Sequence, residues 1–196
     1  GVKATLEKEI EGYGSTNESW YTISSPLMGN VALSDVEGLI PTTNNYDLYR
    51  YDEPTSVWQN VKQTSNNFAN LENGRGYLYA NEYDATLSFA GELNGDDVTY
   101  HLSKTENIVL SGFHLIGNPF THNIYKGVGA AIDDNNLAAG YYTLSNAGAW
   151  GAKISDDIPI APGQGILVKT SKEGDVKIKK TNTQPSQKSS VDILAI

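Results

Sequence analysis

The stretch WYTISSPL at residues 20–27 decides the fold, because it returns as FHLIGNPF at residues 113–120, which is 93 positions later. An internal repeat sets the architecture of a chain. Three more blocks return in the same order: LYRY (48–51) as YYTL (141–144), GRGYLY (74–79) as GQGILV (163–168), and LSF (87–89) as VKI (176–178). We therefore expect two copies of one unit, at about residues 18–93 and 112–180.

The repeated unit has the pattern of β-strands. Apolar and polar residues alternate through most of the blocks, and Gly and Asn mark the turns between them. The strands that this pattern predicts are 20–24, 47–52, 56–61, 76–81, 85–92, 97–103, 113–117, 141–145, 149–154, 164–170 and 175–179. Only the segments near 31–39 and 128–139 have weak helical character, so we expect at most one or two helical turns in each.

Each copy alone would be a sheet with one open apolar face, and two such faces packed together make a β-sandwich. The predicted fold class is therefore all-β, an internally duplicated β-sandwich over residues 1–180 with halves related by a pseudo-twofold axis. The alternative is two tandem β domains with a boundary near Leu93–Asp97. Residues 181–190 have the composition of a linker. Residues 191–196 resemble a final strand, and we expect the chain to be a piece of a longer protein.

The composition argues against several classes of function. Fourteen basic residues against 23 acidic ones give a net charge of −9, which disfavours nucleic acids and anionic membranes as partners. No apolar run approaches the roughly 18 residues that a membrane helix needs, so we expect no membrane insertion. The chain has no cysteine, which excludes disulfides, thiolate nucleophiles and cysteine metal sites.

None of the motifs indicates catalysis or a cofactor. The Gly-x-Gly pairs at 74–76 and 163–165 precede strands, whereas a phosphate-binding loop opens a helix, so we interpret them as turns. The histidines lack the spacing of metal ligands. Clustered Asp and Asn can bind Ca²⁺, although solvated turns are their usual role, and both alternatives stay open. The acidic turns are Asp96-Asp97, Asp133–Asn136 and Asp156-Asp157. We predict no cofactor and no dedicated metal site.

Aromatic residues are the strongest signal of binding. Four tyrosines alternate along two strands of the first copy, with a tryptophan and an arginine near them, and flat rings with polar tips suit the recognition of sugars or proteins. The candidate ligand-binding residues are Tyr49, Tyr51, Trp58, Arg75, Tyr77 and Tyr79. The competing interpretation places these rings in the core, because the second copy has aliphatic residues at several equivalent positions.

The second copy resembles a known type of module. GFHLIGNPF (112–120), the aromatic strand that ends at Trp150, and IAPGQGILV (160–168) are similar to a β-rich module of Bacteroidetes surface and secreted proteins, many of them adhesin-like. The first copy departs from that pattern, with SSP (24–26) in place of Gly-Asn-Pro. The resemblance implies an extracellular or cell-surface accessory module, and it carries over no catalytic residue.

We therefore expect a non-catalytic binding or adhesion module of a larger bacterial protein. Its partners would be a glycan, a host or cell-surface protein, or neighbouring domains of the same polypeptide. One alternative is a glycan-active enzyme, which needs two carboxyl groups roughly 5–10 Å apart and for which Asp47, Asp52 and Glu53 are the best candidates. The other alternative is a structural spacer. A cleft with two close carboxylates would favour the enzyme, and exposed aromatic rings would favour binding.

Overall fold

The computed structural model of the protein describes residues 1–14, 19–153, 158–181 and 183. The chain is all-β, with 45% strand and 3% helix, which confirms the predicted class. A 3-10 turn at Leu33–Asp35 lies where weak helical character was expected, and a second is at Thr64–Asn66. The segment 128–139 has turns and isolated bridges instead of a helical turn. Within the described ranges no helix is long and apolar enough to cross a membrane.

Fifteen strands are present in the part of the chain that the structure describes. They are β1 (Lys3–Ile10), β2 (Tyr21–Ile23), β3 (Val31–Ala32), β4 (Val36–Glu37), β5 (Tyr46–Asp52), β6 (Val57–Asn60), β7 (Asn70–Leu71), β8 (Tyr77–Asn81), β9 (Ala85–Glu92), β10 (Val98–Leu102), β11 (Phe113–Gly117), β12 (Tyr141–Leu144), β13 (Trp150–Lys153), β14 (Gly165–Lys169) and β15 (Gly174–Ile178). Every strand predicted within the two copies is found. The linker and final strand expected at 181–190 and 191–196 lie outside the described residues, apart from Thr181 and Thr183.

Strand β1 is the longest element that the sequence pattern missed. It pairs along its whole length with β9, from Lys3 opposite Glu92 to Ile10 opposite Ala85. Charged residues interrupt its apolar alternation, and Ile10 is its only buried side chain. The strand is therefore held mainly by its backbone hydrogen bonds to β9. The sequence of β1 alone does not indicate that pairing.

The two copies share one strand order. Their four-stranded antiparallel sheets run β2-β8-β5-β6 and β11-β14-β12-β13, with corresponding sequence blocks at corresponding positions. In each copy the last strand pairs with the strand that precedes the first block, β9 with β1 and β15 with β10. Even the short β4, which adds to β9, has a counterpart in a bridge between Ile132 and Ile178.

Each copy encloses its own core, so the expectation of a single core shared by two sheets is wrong. Leu48 and Phe89 belong to one buried cluster, and Ile116 and Ile178 belong to another. Each cluster joins the four-stranded sheet of its copy to the smaller sheet of the same copy. Two separate cores are what the tandem alternative predicts.

The copies nevertheless meet in a tight contact with twofold character. The N–H of Ser24 donates to the Gly163 carbonyl at 3.0 Å, and the N–H of Gly117 donates to the Gly74 carbonyl at 2.9 Å. In the repeat, Gly117 corresponds to Ser24 and Gly163 corresponds to Gly74. One contact is thus made twice with the partners exchanged, as in the isologous interface of a symmetric dimer.

Glycine is required where the backbones approach. A Cβ on Gly117 would lie 2.1 Å from the Ser24 hydroxyl oxygen and 3.0 Å from the Arg75 carbonyl, and one on Gly76 would lie 2.8 Å from the Ile116 carbonyl. Gly74 also has a φ of +80°, in the left-handed region that favours glycine. The Gly-x-Gly pairs are therefore turn and contact residues.

Replacing Gly117 with alanine should weaken the contact between the copies. We expect Gly117→Ala to lower the free energy of unfolding by about 1–3 kcal/mol, the usual cost of overpacking. Adding Ser24→Gly should recover part of that loss, because it removes the side chain that the new methyl group meets. Gly151→Ala is the control, since open space surrounds that position. Denaturant titrations measure all three, and equal losses at positions 117 and 151 would contradict the assignment.

Candidate functional site

A cavity of about 420 Å³ lies between the two copies. Its volume is within the range of roughly 300–1,000 Å³ that is typical of small-molecule sites. The residues that line it are all aromatic or aliphatic: Tyr51 and Trp58 from the first copy, and Leu110, Phe113, Tyr142, Trp150 and Leu167 from the connecting loop and second copy. We call this cavity the aromatic pocket.

Neighbouring strands of the second copy position one wall of the aromatic pocket. Phe113 lies on β11, Leu167 on β14 and Tyr142 on β12, which are adjacent in the sheet. Tyr142 and Leu167 are direct cross-strand partners. The Phe113 and Tyr142 rings lie 6.1 Å apart between centroids and are tilted by 50°. Because these side chains stand on paired strands, their positions are fixed by the sheet.

The two copies meet across the pocket through stacked tryptophans. Trp58 and Trp150, which correspond in the repeat, are 6.5 Å apart between ring centroids with an angle of 19° between planes. The ring of Tyr51 packs against that of Trp58, with 5.1 Å between the ring centroids. The pseudo-twofold relation thus brings together the same position of the two copies. The pocket lies beside that contact.

The other side of the pseudo-twofold axis is built differently. Trp20 and Tyr49, the counterparts of Phe113 and Tyr142, form a ring pair with nearly the same geometry, at 6.2 Å and 48°. The turn near Gly148 lies directly on Trp20, since a Cβ on Gly148 would be 3.2 Å from the indole. The backbone N–H groups of Ser19 and Trp20 both donate to the Asn146 carbonyl.

On the pocket side, a carboxylate holds the connecting loop. One oxygen of Glu53 accepts from the N–H groups of Thr105 and Gly112, at 2.9 and 2.7 Å. The other accepts from the hydroxyls of Ser103 and Thr105, at 2.8 and 2.9 Å. Because Leu110 belongs to this loop and Phe113 follows it, Glu53 fixes part of the pocket wall.

The environment of Glu53 keeps it ionised. The residue is 1% exposed, and burial alone would raise the pKa of its carboxyl group. The hydrogen bonds from Gly112, Thr105 and Ser103 outweigh burial and lower that pKa to about 2. All four bonds come from neutral N–H and O–H groups, so Glu53 is a negative charge stabilised by dipoles.

The six residues predicted to bind ligand lie in different parts of the structure. Tyr51 and Trp58 line the aromatic pocket, whereas Tyr49 lies on the opposite side against Trp20. Arg75 forms an ion pair with Glu72 at 2.9 Å and donates to the Tyr51 carbonyl at 2.5 Å. It therefore supports the strand that carries Tyr51.

The prediction of an exposed strip that includes Tyr77 and Tyr79 is wrong. Both are 0% exposed and belong to the core of the first copy. Their hydroxyls are used internally, since Tyr77 accepts from the Glu72 N–H at 2.6 Å and Tyr79 donates to the Gly38 carbonyl at 3.2 Å. Burial raises the pKa of Tyr79 to about 12. The competing core interpretation was the right one for this pair, because both rings lie on the face of β8 that packs into the core of the first copy.

Sequence reasoning missed five residues of the pocket, all of them outside the first copy: Leu110, Phe113, Tyr142, Trp150 and Leu167. The repeat did contain a signal for three of them. The aromatic character of positions 20, 49 and 58 is kept at 113, 142 and 150. Such agreement marks positions where an aromatic ring is needed in both copies.

The acidic turns are engaged in structural contacts. Asp97 forms an ion pair with Lys177 at 3.0 Å, Asp134 pairs with the buried Lys126, and Asp133 accepts from the N–H of Gly129 at 3.1 Å. Asp156-Asp157 lies outside the described residues. Among the residues that can be searched, no group of three or more His, Asp or Glu side chains is placed to hold a metal ion.

Comparisons with known proteins give no match for this chain. A scan against protein-family models, a search of curated proteins and a search of solved structures each found no similar protein.

Truncation of Tyr79, a core residue, should destabilise the protein more than truncation of the half-buried Tyr49. We expect Tyr79→Ala to lower the free energy of unfolding by about 3–5 kcal/mol, as for other buried aromatic residues. Tyr49→Ala should cost about 1 kcal/mol, since the ring is only partly buried against Trp20. Thermal and denaturant melts measure both, and similar costs for the two variants would show that Tyr49 is also a core residue.

The Glu53 contacts should make the stability of the protein depend on acid pH. Because the folded pKa of about 2 lies below the ordinary value of 4.5, the stabilisation is complete above about pH 5 and is lost as the pH falls towards 2. Glu53→Gln should cost about 1–3 kcal/mol at pH 7 and progressively less towards pH 2. The exposed Glu37→Gln serves as the control. Unfolding titrations from pH 2 to 7 measure this, and a pH-independent difference would contradict it.

Proposed function

We propose that this chain is a non-catalytic binding module and that its ligand site is the aromatic pocket between the two copies. The single observation that carries the proposal is the lining, in which five aromatic rings and two leucines surround about 420 Å³. Burying apolar surface against such rings yields roughly 25 cal/mol per Å², and stacking adds to it. The ligand would therefore present a flat or rounded apolar face.

The pocket is also held in place before any ligand arrives. Four of its seven lining residues lie on β11 to β14, and Tyr51 and Trp58 lie on β5 and β6. Leu110, in the loop, is fixed indirectly through the contacts of Glu53. Pre-organised side chains lose little conformational freedom on binding, which leaves more of the contact energy for affinity.

The alternatives have less support. Glu53, the best placed of the carboxylates considered for an enzyme, is occupied by four hydrogen bonds and has a pKa far below that of a general acid. A spacer needs no apolar pocket between its units. Glycans stay within the proposal, because sugar rings can stack on tryptophan. The extracellular or cell-surface setting, with adhesion to a glycan, a host protein or a neighbouring domain, rests on the family resemblance alone.

The three indole N–H signals of a ¹⁵N-labelled sample test the proposal directly. The probes are a library of mono- and disaccharides, small aromatic compounds and organic cations. We expect pocket ligands to shift the signals of Trp58 and Trp150 and to leave that of Trp20 unchanged. Tyr142→Ala should weaken binding about tenfold or more, as for a central interface contact.

Tyr49→Ala is the matched control, because it removes the equivalent ring on the other side of the pseudo-twofold axis. It should leave the affinity unchanged. The proposal fails if no probe moves the Trp58 and Trp150 signals, or if the two variants weaken binding equally.

A further inference from the structure

We infer that the group the aromatic pocket recognises is a quaternary ammonium, the fully alkylated nitrogen of choline-like compounds. The inference rests on the proposed function and specifies its ligand class. The rings of Tyr51, Trp58, Phe113, Tyr142 and Trp150 surround one cavity. Aromatic faces carry partial negative charge and attract cations within about 6 Å of the ring centre.

The lining selects the kind of cation. A primary ammonium keeps three N–H donors that must be satisfied when it leaves water, and an unsatisfied donor costs binding energy. The side chains around this cavity are rings and aliphatic groups, which offer few acceptors. A quaternary ammonium has no N–H donor and an apolar surface, so it loses little on entering such a site.

A buried negative charge stands behind the pocket wall. Glu53 is ionised at neutral pH, is 1% exposed, and receives its hydrogen bonds from neutral groups, among them the N–H of Gly112 next to Phe113. Its charge is therefore not cancelled by those partners, and the field of a buried charge is screened less than that of a surface charge. The net charge of −9 acts in the same direction over longer distances.

One cation of the protein already lies at this wall. The ammonium of Lys169 is 5.3 Å from the centre of the Phe113 ring. The ring thus has the geometry to interact with a cation, and the positive charge of Lys169 beside it opposes the entry of a cationic ligand. Removing the charge of Lys169 should therefore strengthen the binding of a cation and leave the binding of a neutral molecule unchanged.

The experiment compares choline with 3,3-dimethyl-1-butanol, which has the same shape with carbon in place of the charged nitrogen. Both are titrated into the ¹⁵N-labelled chain at constant ionic strength, and the indole signals of Trp58 and Trp150 are followed. We expect choline to bind about 5- to 30-fold more tightly, as cation–π contacts of roughly 1–2 kcal/mol imply. Tyr142→Ala should weaken choline binding, and Tyr49→Ala should not.

Two charge variants sharpen the test. Glu53→Gln should weaken choline more than the alcohol, whereas damage to the loop would weaken both alike. Lys169→Gln should strengthen choline alone. Co-sedimentation with phosphatidylcholine vesicles distinguishes a lipid headgroup from a free ligand, and either source supports recognition of the ammonium group if Tyr142→Ala abolishes it.

Equal affinities for choline and the alcohol would overturn the inference, and the proposed function would survive as recognition of an apolar ligand. The inference also fails if neither compound moves the Trp58 and Trp150 signals while a sugar or aromatic compound does. If nothing in the library moves them, the proposed function fails together with it.

Discussion

The close approach of two backbones at the pseudo-twofold contact is the constraint on which the rest of the structure depends. Ser24 meets Gly163, and Gly117 meets Gly74, through the same hydrogen bond made twice. Glycine at 76 and 117 leaves room for this approach. Each copy closes its own core, so the contact is not needed to bury a sheet face. Its consequence is geometric, because it sets Trp58 against Trp150 and thereby defines the pocket beside them.

The pseudo-twofold relation produces two unlike surfaces because corresponding turns make their contact with different groups. On one side the backbone carbonyl of Asn146 accepts from the Ser19 N–H. On the other side, the equivalent N–H group, that of Gly112, donates to the side-chain carboxylate of Glu53. The aromatic pocket lies on the side that carries Glu53, with Leu110 of the connecting loop and Phe113 in its lining.

The same substitution sets the electrostatics of the site. A carbonyl contributes a dipole, whereas Glu53 contributes a full charge whose pKa its hydrogen bonds lower to about 2. The residue that holds the connecting loop at the pocket wall is therefore also the residue that places a negative charge behind it.

The sequence alone determined the all-β class, most strand positions and the correspondence between the blocks of the two copies, because alternation and repeated blocks can be recognised within the sequence itself. It also singled out Tyr51 and Trp58, which line the aromatic pocket. It did not place Tyr77 and Tyr79 in the core, since alternation shows that two rings share a face but not which face is covered. The missed wall of Phe113, Tyr142 and Trp150 lies far along the chain from Tyr51. Only the tertiary contact between the copies brings them together, because it is set by backbone approach at glycines and by a carboxylate reaching a distant loop.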